Sequence, residues 1–498
     1  MRTAIKILAV FAVVLFCLQV TSDNKAEVDL WGNVGFVTGM PWGNDFNYTN
    51  TYSFTEPGRS WINHEWLAEY ILHRVYARFG NAGLVLYKIL VGMCVTGVLY
   101  LAINSAGSSA GLGFLWLVLI VSVMGYGFST RPHLLTYFLY ALFLLILRRH
   151  KISGSATIYI LPLAGILWAN LHGAFFIGAI LLGIFTITEI INKGRRVMEL
   201  ALVTALFIAA TFINPYGARL WQFIFYSAGI PRPFLSEWAS LLNMEFVMVH
   251  IDFVFLSLAS LAVIFFSRKP KDITGLAVLF VSFAAAIAMR RNIPLFAITA
   301  AFVVPVYLED AAGEPVKRIF EKFSAPAVAA ALFLFCVLSA GYTLFFNKTD
   351  FRQIEVEQKS FPVAAVSFMK ENGISGNAVI FFNWAEYCIW KLYPDCRVFL
   401  DGRLCSAYSV KTINDFFNFL YLGEGWGDAL SDYPADIALI HRLNPVYARM
   451  LSMPGWANVY NDKIAGLFLK KSGHEAFFSK LERGDIRYPK PRKYEYFP

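Results

Sequence analysis

The sequence predicts an α-helical polytopic membrane protein of about eleven transmembrane helices, followed by a C-terminal soluble α/β domain. Three observations predict this fold class. Of the 498 residues, 57% are hydrophobic and 15% are charged, and the mean hydropathy is +0.53. From about residue 350, charged residues become frequent and short β-like runs begin. The first part of the chain therefore has lipid as its main solvent, and the last part has water.

The predicted membrane helices come from apolar runs that together define a membrane module over residues 1–346. Each run has about 15 to 22 residues, near the length that a helix needs to cross ~30 Å of hydrocarbon. The runs are 3–20, 82–103, 112–128, 133–147, 155–169, 173–191, 197–213, 251–267, 272–289, 293–308 and 325–346.

Basic residues set the predicted orientation, because Lys and Arg of short loops stay on the cytoplasmic side. Arg2 precedes the first run, and Lys6 lies near its start. Further basic clusters lie in alternate loops, at 148–151, 193–196, 268–271 and 317–318. The N-terminus is therefore predicted to be cytoplasmic, and the domain 347–498 to lie outside the plasma (inner) membrane, in the periplasm. The first run is interpreted as a retained anchor because no small-x-small site follows it, with a cleaved signal peptide as the alternative.

Most other polar segments then fall on the external side. They are the long loops 21–81 and 214–250 and the short turns 129–133, 170–173 and 290–292. Transporters more often carry polar groups at mid-membrane depth. The one-sided distribution therefore predicts an external site for catalysis or binding.

The short external turns carry cationic and hydrogen-bonding residues. Arg290 and Arg291 stand on the side where basic residues are unusual, which indicates anionic partners. With them, the candidate phosphate or donor-binding residues are Arg131, His133, Asn170, His172, Arg290 and Arg291. Such groups suit the phosphate or pyrophosphate of a lipid head group. Snorkelling, or ion pairs with acids of the loops, is the alternative interpretation.

The first external loop supplies candidate catalytic residues. Asp29 follows the first span closely, and a carboxylate there can act as general base or help to hold a divalent cation. His64 and Glu65 are candidates to orient the acceptor or the leaving group, although both would simply face water if 62–79 forms an amphipathic helix in the membrane interface. No second histidine follows His64 by four residues, so the zinc-protease motif is absent.

The sequence argues against enzymes with a phosphate-binding Gly-rich loop, hydrolases with a nucleophile elbow and nucleic-acid-binding proteins. The chain has no phosphate-binding Gly-rich loop with its Lys and no Gly-x-Ser-x-Gly elbow. The net charge of +9 does not indicate nucleic-acid binding, because basic loops that face anionic lipid explain much of it. Cys388, Cys396 and Cys405 lack metal-site spacing, and a disulfide among them stays open.

The C-terminal domain shows β-like runs between helical stretches. The runs are 378–382, 397–400 and 436–440, and the helices are 361–373 and 409–422. Two polar motifs follow the first two runs, at strand ends where α/β sheets carry binding sites. The candidate acceptor-binding residues are Trp384, Glu386, Tyr387, Asp401 and Arg403. Turn chemistry and an aromatic core are the alternative explanation.

The order of these motifs resembles the polytopic GT-C glycosyltransferases, which use polyprenyl-phosphate-linked sugars, and most of all a poorly characterised bacterial branch of them. The motifs are Asp29-Leu-Trp, Trp61-Ile-Asn-His-Glu-Trp66, Arg131-Pro-His133, Trp168-Ala-Asn-Leu-His172-Gly, Asn214-Pro-Tyr-Gly217, Arg290-Arg-Asn-Ile-Pro-Leu-Phe296, Asn383-Trp-Ala-Glu-Tyr387 and Val398-Phe-Leu-Asp-Gly-Arg403. The segment 383–387 is also similar to the Trp-Trp-Asp-Tyr-Gly signature of oligosaccharyltransferases, with Asn for the first Trp, Ala inserted, Glu for Asp and Cys388 in place of Gly.

The resemblance implies a GT-C-like fold and places Asp29 at the catalytic position of the superfamily. It implies as partners a polyprenyl-phosphate-linked sugar, membrane lipid and a glycan, lipid or protein acceptor, with no nucleic acid. A divalent cation, Mg or Mn, is also implied, but its ligands stay unknown. Glu237, in the second long loop, and Asp252, just after it, are the nearest candidates.

We therefore predict a cell-envelope glycosylation enzyme. It moves a sugar from a polyprenyl-phosphate or -pyrophosphate donor to an acceptor at the external face, with inversion and with Asp29 as base. A lipid-linked-glycan transporter or flippase, a ligase that transfers whole oligosaccharides, and a non-catalytic receptor or assembly protein are the alternatives.

Overall fold

The structure is a computed structural model that describes residues 2–36, 49–322, 325–346, 350–490 and 494–498. A bundle of apolar helices is followed by a small α/β domain, which confirms the coarse prediction of the fold class. The helices of the bundle and its loops are α1 Arg2–Thr21, α2 Leu30–Gly35, α3 Trp66–Asn104, α4 Ala110–Met124, α5 His133–Ser153, α6 Leu161–Leu171, α7 Phe176–Ile191, α8 Val197–Ala210, α9 Ala218–Ala228, α10 Met244–Val249, α11 Ile251–Phe266, α12 Ile273–Ala288, α13 Ile293–Val303, α14 Pro305–Lys322 and α15 Ala325–Gly341.

Four helices of the described chain are long and apolar enough to cross a membrane. They are Trp66–Ser105, Ala110–Gly127, Gly173–Ile191 and Pro326–Phe345. The pair Arg290–Val303 and Pro305–Gly313, bent by 64°, makes a fifth if it is counted as one span. Five shorter apolar helices are Ile7–Thr21, Ala156–Leu171, Val197–Ala210, Ile251–Phe266 and Ile273–Ala288. The chain is therefore a multi-pass membrane protein, and the count of eleven spans stays a prediction.

The longest helix joins two segments that the sequence separates. The amphipathic stretch 62–79 and the span 82–103 both lie in α3 from Trp66 onward. Gly80 interrupts the helical backbone with φ 60° and ψ −152°, a conformation that glycine adopts at little steric cost. The predicted interface helix is thus the first arm of a kinked helix that leads into the bundle.

The first and last helices of the bundle are neighbours. Ala12 of α1 is buried in one apolar cluster with Leu332 and Cys336 of α15. The rings of Phe16 and Phe335 lie 5.5 Å apart in the same contact. This pair closes the helical bundle.

The C-terminal domain is a five-stranded mixed sheet with helices. Its elements are α16 Val363–Asn372, β1 Gly376–Ile380, α17 Ala385–Leu392, β2 Cys396–Val398, α18 Val410–Tyr421, α19 Asp428–Ser431, β3 Ile437–His441, α20 Pro445–Leu451, β4 Trp456–Asn461, β5 Ala465–Lys470 and α21 Glu475–Glu482. The strand order is β2-β1-β3-β5-β4, with β2, β1 and β3 parallel and β5 antiparallel to both neighbours. The three predicted strands and two predicted helices are confirmed to within a few residues.

The C-terminal domain shares its core with the described part of the loop 21–81, which is predicted to be the first external loop. Leu30 and Trp31 belong to the same apolar cluster as Phe361 and Phe399. Backbone bridges also pair 25 with 355 and 53 with 398. The predicted boundary at 346/347, next to residues 347–349 outside the described chain, therefore separates the sequence more sharply than it separates the packing. The division of the chain into the domains 1–346 and 347–498 stays a prediction.

Candidate active site

Asp29 owes its position to the aromatic anchor two residues later. Trp31 of α2 packs edge-on against Tyr387, with the ring centroids 4.8 Å apart, and against Phe361 at 5.7 Å. Both partners belong to the C-terminal domain, so the short helix α2 is fixed against that domain. Asp29 directly precedes α2, and its carboxylate reaches back to the helical bundle at Arg131.

Arg131 gathers three carboxylates. Its Nη1 lies 2.9 Å from Asp29 Oδ2. Its Nε donates to Glu27 Oε2 at 2.8 Å, and its Nη1 donates to Glu237 Oε2 at 3.3 Å. The three acids come from the loops 21–81 and 214–250, which the arginine joins. One positive charge thus stands among three negative ones.

The surroundings change the pKa of both Asp29 and Arg131. Desolvation raises the pKa of the Asp29 carboxyl, the Arg131 guanidinium opposes this rise, and the negative charges of Glu237, Glu27 and Glu65 add to it. Burial acts against the charge of Arg131, but the three carboxylates hold its pKa above the ordinary value. Asp29 therefore holds a proton more readily than an exposed aspartate does, as suits a group that accepts one.

A second acidic group lies beside this centre. Glu65 Oε1 is 3.2 Å from His172 Nε2 and 3.6 Å from His64 Nε2. Glu65 directly precedes α3, whereas His172 ends α6, so the pair joins the first external loop to a membrane-level turn. Asp29, Arg131, Glu65 and His172 thus converge, close enough for the charge of Glu65 to act on Asp29.

Hydrogen bonds fix the orientation of the His172 ring. Trp168 Nε1 donates to Thr136 Oγ1 at 2.9 Å, so the Thr136 hydroxyl is free to donate to His172 Nδ1, which lies 3.0 Å away. The Ala174 N–H also points at Nδ1. Because Nδ1 accepts, Nε2 carries the proton and donates to Glu65. Burial opposes ionisation of Glu65, but the hydrogen bond from His172, together with electrostatic attraction by the two histidine rings and by Arg291, brings its pKa down to about 2.

The two adjacent arginines after α12 face different surroundings. Arg291 lies over the ring of Trp238 at 4.5 Å, and its Nη1 is 3.9 Å from Glu237 Oε1. Arg290 lies over Phe246 at 4.4 Å and over Tyr126 at 5.5 Å, with its buried Nε unpaired. Arg291 therefore borders the carboxylate centre, whereas Arg290 lies among aromatic rings beside it.

Two further predicted donor-binding residues hold the framework together. His133 Nε2 lies 3.1 Å from the carbonyl oxygen of Gly127, and the His133 ring is 6.4 Å from the His172 ring. Asn170 Oδ1 accepts from Trp66 Nε1 at 2.9 Å, and Asn170 Nδ2 donates to two backbone carbonyls. Both side chains fix turns around the centre, and their binding of a donor stays a prediction.

Glu386 of the C-terminal domain reaches the same region. Its Oε2 accepts from the Gly32 N–H at 3.0 Å. A Cβ on Gly402 would meet Glu386 Oε1 at 2.3 Å and Asp29 Oδ1 at 3.8 Å, so the bare glycine backbone separates the two acids. Desolvation, with Asp29 and Asp401 nearby, raises the pKa of Glu386 well above its ordinary value.

The other predicted acceptor-binding residues are buried in packed surroundings. Trp384 donates from Nε1 to the Ser360 carbonyl oxygen at 2.7 Å, and Tyr387 packs on Trp31. Arg403 binds Asp401 through two hydrogen bonds, at 2.9 and 2.7 Å. These contacts give the four residues a structural role, and acceptor binding by them stays a prediction.

The described residues do not fit a resident divalent cation. Within the resolved ranges, no group of three or more His, Cys, Asp or Glu side chains is arranged to hold a metal ion. The nearest acids, Glu27, Asp29 and Glu237, converge on a guanidinium instead. A fixed positive charge in that position repels a second cation.

Two residues that contribute to this site, Glu27 and Thr136, were not among the site candidates predicted from the sequence. Glu27 stands two residues before Asp29, on the same side of the loop, and that spacing is the signal that could have indicated it. Thr136 stands one helical turn after His133 in α5, where the i, i+3 spacing places it near the same surface. Glu237, which the sequence offered only as a metal candidate, instead bridges Arg131 and Arg291.

Comparisons with known proteins support the fold. No protein-family model and no curated protein matches the chain. Among solved structures, it is similar to the oligosaccharyltransferase AglB of Archaeoglobus fulgidus in complex with an inhibitory peptide and a dolichol-phosphate, with a TM-score of 0.57 and 12% identity over 88% of this chain and 69% of that one. The A. fulgidus enzyme tethered by a disulfide to an acceptor peptide with the NVT sequon gives a TM-score of 0.56, with the same identity and coverage.

At this identity the likeness shows a shared fold. The chain thus shares the fold of the archaeal oligosaccharyltransferase, and its place in the GT-C superfamily stays a prediction. Membership of a bacterial branch stays a prediction.

Proposed function

We propose that this chain is a GT-C-type membrane glycosyltransferase, which transfers a sugar from a polyprenyl-phosphate or -pyrophosphate donor to an acceptor at the external membrane face. One observation carries the proposal: a carboxylate of the first external loop, Asp29, stands where that loop, two membrane-level turns and the C-terminal domain meet. The archaeal structures with this fold hold a dolichol-phosphate or an acceptor peptide. Both ligand classes suit such a junction.

Asp29 acts on the acceptor. Its raised pKa favours uptake of the proton that an acceptor hydroxyl loses as it attacks the anomeric carbon. Attack from the side opposite the lipid phosphate inverts the anomeric centre. Glu65, held by His172, provides a fixed second acid beside the reacting groups.

Arg291 stabilises the departing phosphate. Arg131 is engaged by three carboxylates, whereas Arg291 has a single carboxylate at 3.9 Å and an aromatic face. Charge on the phosphate grows as the glycosidic bond breaks, so a cation placed there stabilises the transition state more than the bound donor. Arg290, the preceding residue of the same turn, adds a second positive charge beside it, among the rings of Phe246 and Tyr126.

Transfer from a panel of polyprenyl-phosphate and -pyrophosphate sugars, with the protein in nanodiscs, tests the proposal. We expect transfer to fall by about 10² or more in Asp29→Asn with donor binding kept. Donor binding and transfer should both fall in Arg291→Ala. Asp432→Asn and Arg397→Ala, on the exposed surface of the C-terminal domain, are matched controls.

Two results would exclude the proposal. One is the absence of binding and of transfer with every donor of the panel, which favours a receptor or assembly protein. The other is movement of the intact lipid-linked sugar across the bilayer without transfer, which favours a flippase.

A further inference from the structure

We propose that Arg131 is the resident cation of this site and that it takes, between Glu27, Asp29 and Glu237, the place of a divalent metal ion. The inference rests on the proposed function in so far as Asp29 is the catalytic carboxylate. The arrangement of charges itself is independent of any donor or acceptor.

The contacts have the form of a coordination centre. Asp29 Oδ2 and Glu237 Oε2 both approach the same nitrogen, Nη1, at 2.9 and 3.3 Å. Glu27 Oε2 approaches Nε at 2.8 Å. Divalent cations likewise gather carboxylate oxygens from separate segments of a chain. Here the cation is covalently attached and stays charged at every physiological pH.

The backbone holds Arg131 in place. It lies in a tight turn between α4 and α5, where its N–H donates to the Ser129 carbonyl oxygen at 2.9 Å. Pro132 follows and caps the start of α5. Only 19% of the Arg131 side chain is exposed, so the guanidinium cannot leave the carboxylates for solvent without movement of the turn. The charge therefore belongs permanently to the centre.

The count of charges predicts what happens without Arg131. Three carboxylates face one guanidinium, and its removal leaves three acids that converge with no cation between them. Oxygen ligands of this kind are those that Mg²⁺ and Mn²⁺ prefer. Substitution of Arg131 by an uncharged residue removes the charge that repels a second cation and should thus allow these carboxylates to close around a metal ion.

Mn²⁺ binding to the purified protein, followed by electron paramagnetic resonance without any lipid substrate, tests the inference. We expect Arg131→Gln to bind one Mn²⁺ at least about tenfold more tightly than the parent does. The double variant Arg131→Gln with Asp29→Asn should lose that gain. Arg232→Gln is the matched control, because Arg232 contacts Ser227, Cys405 and the face of Trp238 beside Glu237. It should bind Mn²⁺ as the parent does.

The parent protein alone can overturn the inference. If it binds one Mn²⁺ per chain, and Asp29→Asn abolishes that binding, a metal and not Arg131 organises the site. This readout decides the question even where Arg131→Gln fails to fold, and Arg131→Lys, which keeps a cation, should stay free of Mn²⁺. Equal Mn²⁺ affinity of a folded Arg131→Gln and the parent would also count against the inference.

The metal-binding and transfer measurements distinguish failure of this inference from failure of the proposed function. Transfer that needs Mn²⁺ in the parent would contradict the role of Arg131 and leave the transferase intact. Metal binding as expected, without transfer from any donor, would contradict the transferase and leave the role of Arg131 intact. Transfer that continues in the presence of a chelator supports both.

Discussion

Two arginines, the buried Arg403 and the partly exposed Arg131, pair with acids in different ways. Arg403 pairs with Asp401, two residues away, and 4% and 0% of their side chains are exposed. Arg131 pairs with acids of two distant loops, and Glu27, Asp29 and Glu237 keep 36, 39 and 38% of their side chains exposed. The first pair is closed and balanced in charge. The second is open and has an excess of acid.

The surroundings of Arg403 explain why its pair is closed. Its guanidinium lies 4.9 Å from the ring of Phe36 and 4.8 Å from that of Trp61. Tyr408 donates its hydroxyl to Asp401 Oδ2 at 2.6 Å. Every face of the pair is thus in contact with protein. A closed pair orders a core, whereas an open one keeps oxygens available to a ligand, and this difference separates framework from candidate active site.

The largest expected effect comes from opening the closed pair. Arg403→Leu leaves the Asp401 carboxylate buried without its cation, which should lower the free energy of unfolding by about 3–5 kcal/mol. Thermal unfolding in detergent, followed by tryptophan fluorescence, measures the loss. The double variant Arg403→Leu with Asp401→Leu should regain part of it, because no unpaired charge remains. A single variant as stable as the parent would contradict the framework role.

Matched substitutions of the two aspartates sharpen the comparison. Asp29→Asn should reduce sugar transfer by about 10²–10⁴-fold, because the base is lost, while the unfolding midpoint stays near that of the parent. Asp401→Asn should lower the midpoint. Both quantities are measured on the same preparations. Equal losses of stability in the two variants would remove the distinction between an open and a closed site.

The open centre should also respond to acid through Glu65. Its pKa of about 2 lies below the ordinary 4.5, so ionised Glu65 stabilises the folded state above pH 4.5. That stabilisation is lost as the pH falls from 4.5 through the folded-state pKa of about 2. Glu65→Gln should therefore weaken the dependence of the unfolding midpoint on pH in this window. Glu424→Gln, on the exposed surface, should leave it unchanged.

The smallest effect is expected at Glu386, between the two regions. Because burial raises the pKa of its carboxyl well above the ordinary value, a neutral amide is a close substitute. Glu386→Gln keeps an oxygen for the Gly32 N–H and should change the free energy of unfolding by less than about 1 kcal/mol. Glu386→Ala leaves that N–H without its acceptor and should cost about 1–3 kcal/mol. Thermal unfolding that ranks the two variants in the opposite order would contradict this account.

Local pattern predicted much of the fold. Alternating apolar runs and turn residues placed β1, β2 and β3 within a few residues of their observed bounds. The kink at Gly80 and the bend at Pro305 were not foreseen, because hydropathy gives the length of an apolar run but not the backbone angle within it. Several predicted spans are also shorter helices in the structure, because a kink or break divides an apolar run into separate helical segments.

The sequence analysis grouped the candidate site residues by their location in the chain, but it did not predict which side chains pair with each other. Asp29, Glu65, Arg131 and His172 were grouped by their places in the predicted external segments; the structure pairs Arg131 with Asp29 and His172 with Glu65, and the roles of all four stay predictions. The partners of Arg131 were missed, since Glu27 lies 104 residues before it and Glu237 lies 106 residues after it. Sequence spacing predicts contacts within one helix or turn, whereas such distant ion pairs follow from tertiary packing. The burial of Asp401 and Arg403 likewise depends on tertiary packing, because Phe36 and Trp61 of a distant loop cover Arg403.

The contact between α1 and α15 sets an order on biosynthesis. Translation delivers α1 to the membrane first, but the apolar surface that covers Ala12 lies in α15, the last helix of the bundle. Until α15 has emerged from the ribosome, that side of α1 is covered by lipid or by the insertion machinery. Soon afterwards the chain reaches Glu355, whose backbone pairs with Lys25 directly beyond α1. The bundle therefore completes its packing late in synthesis, and the C-terminal domain completes its own later still, because Phe497 pairs with Ile354.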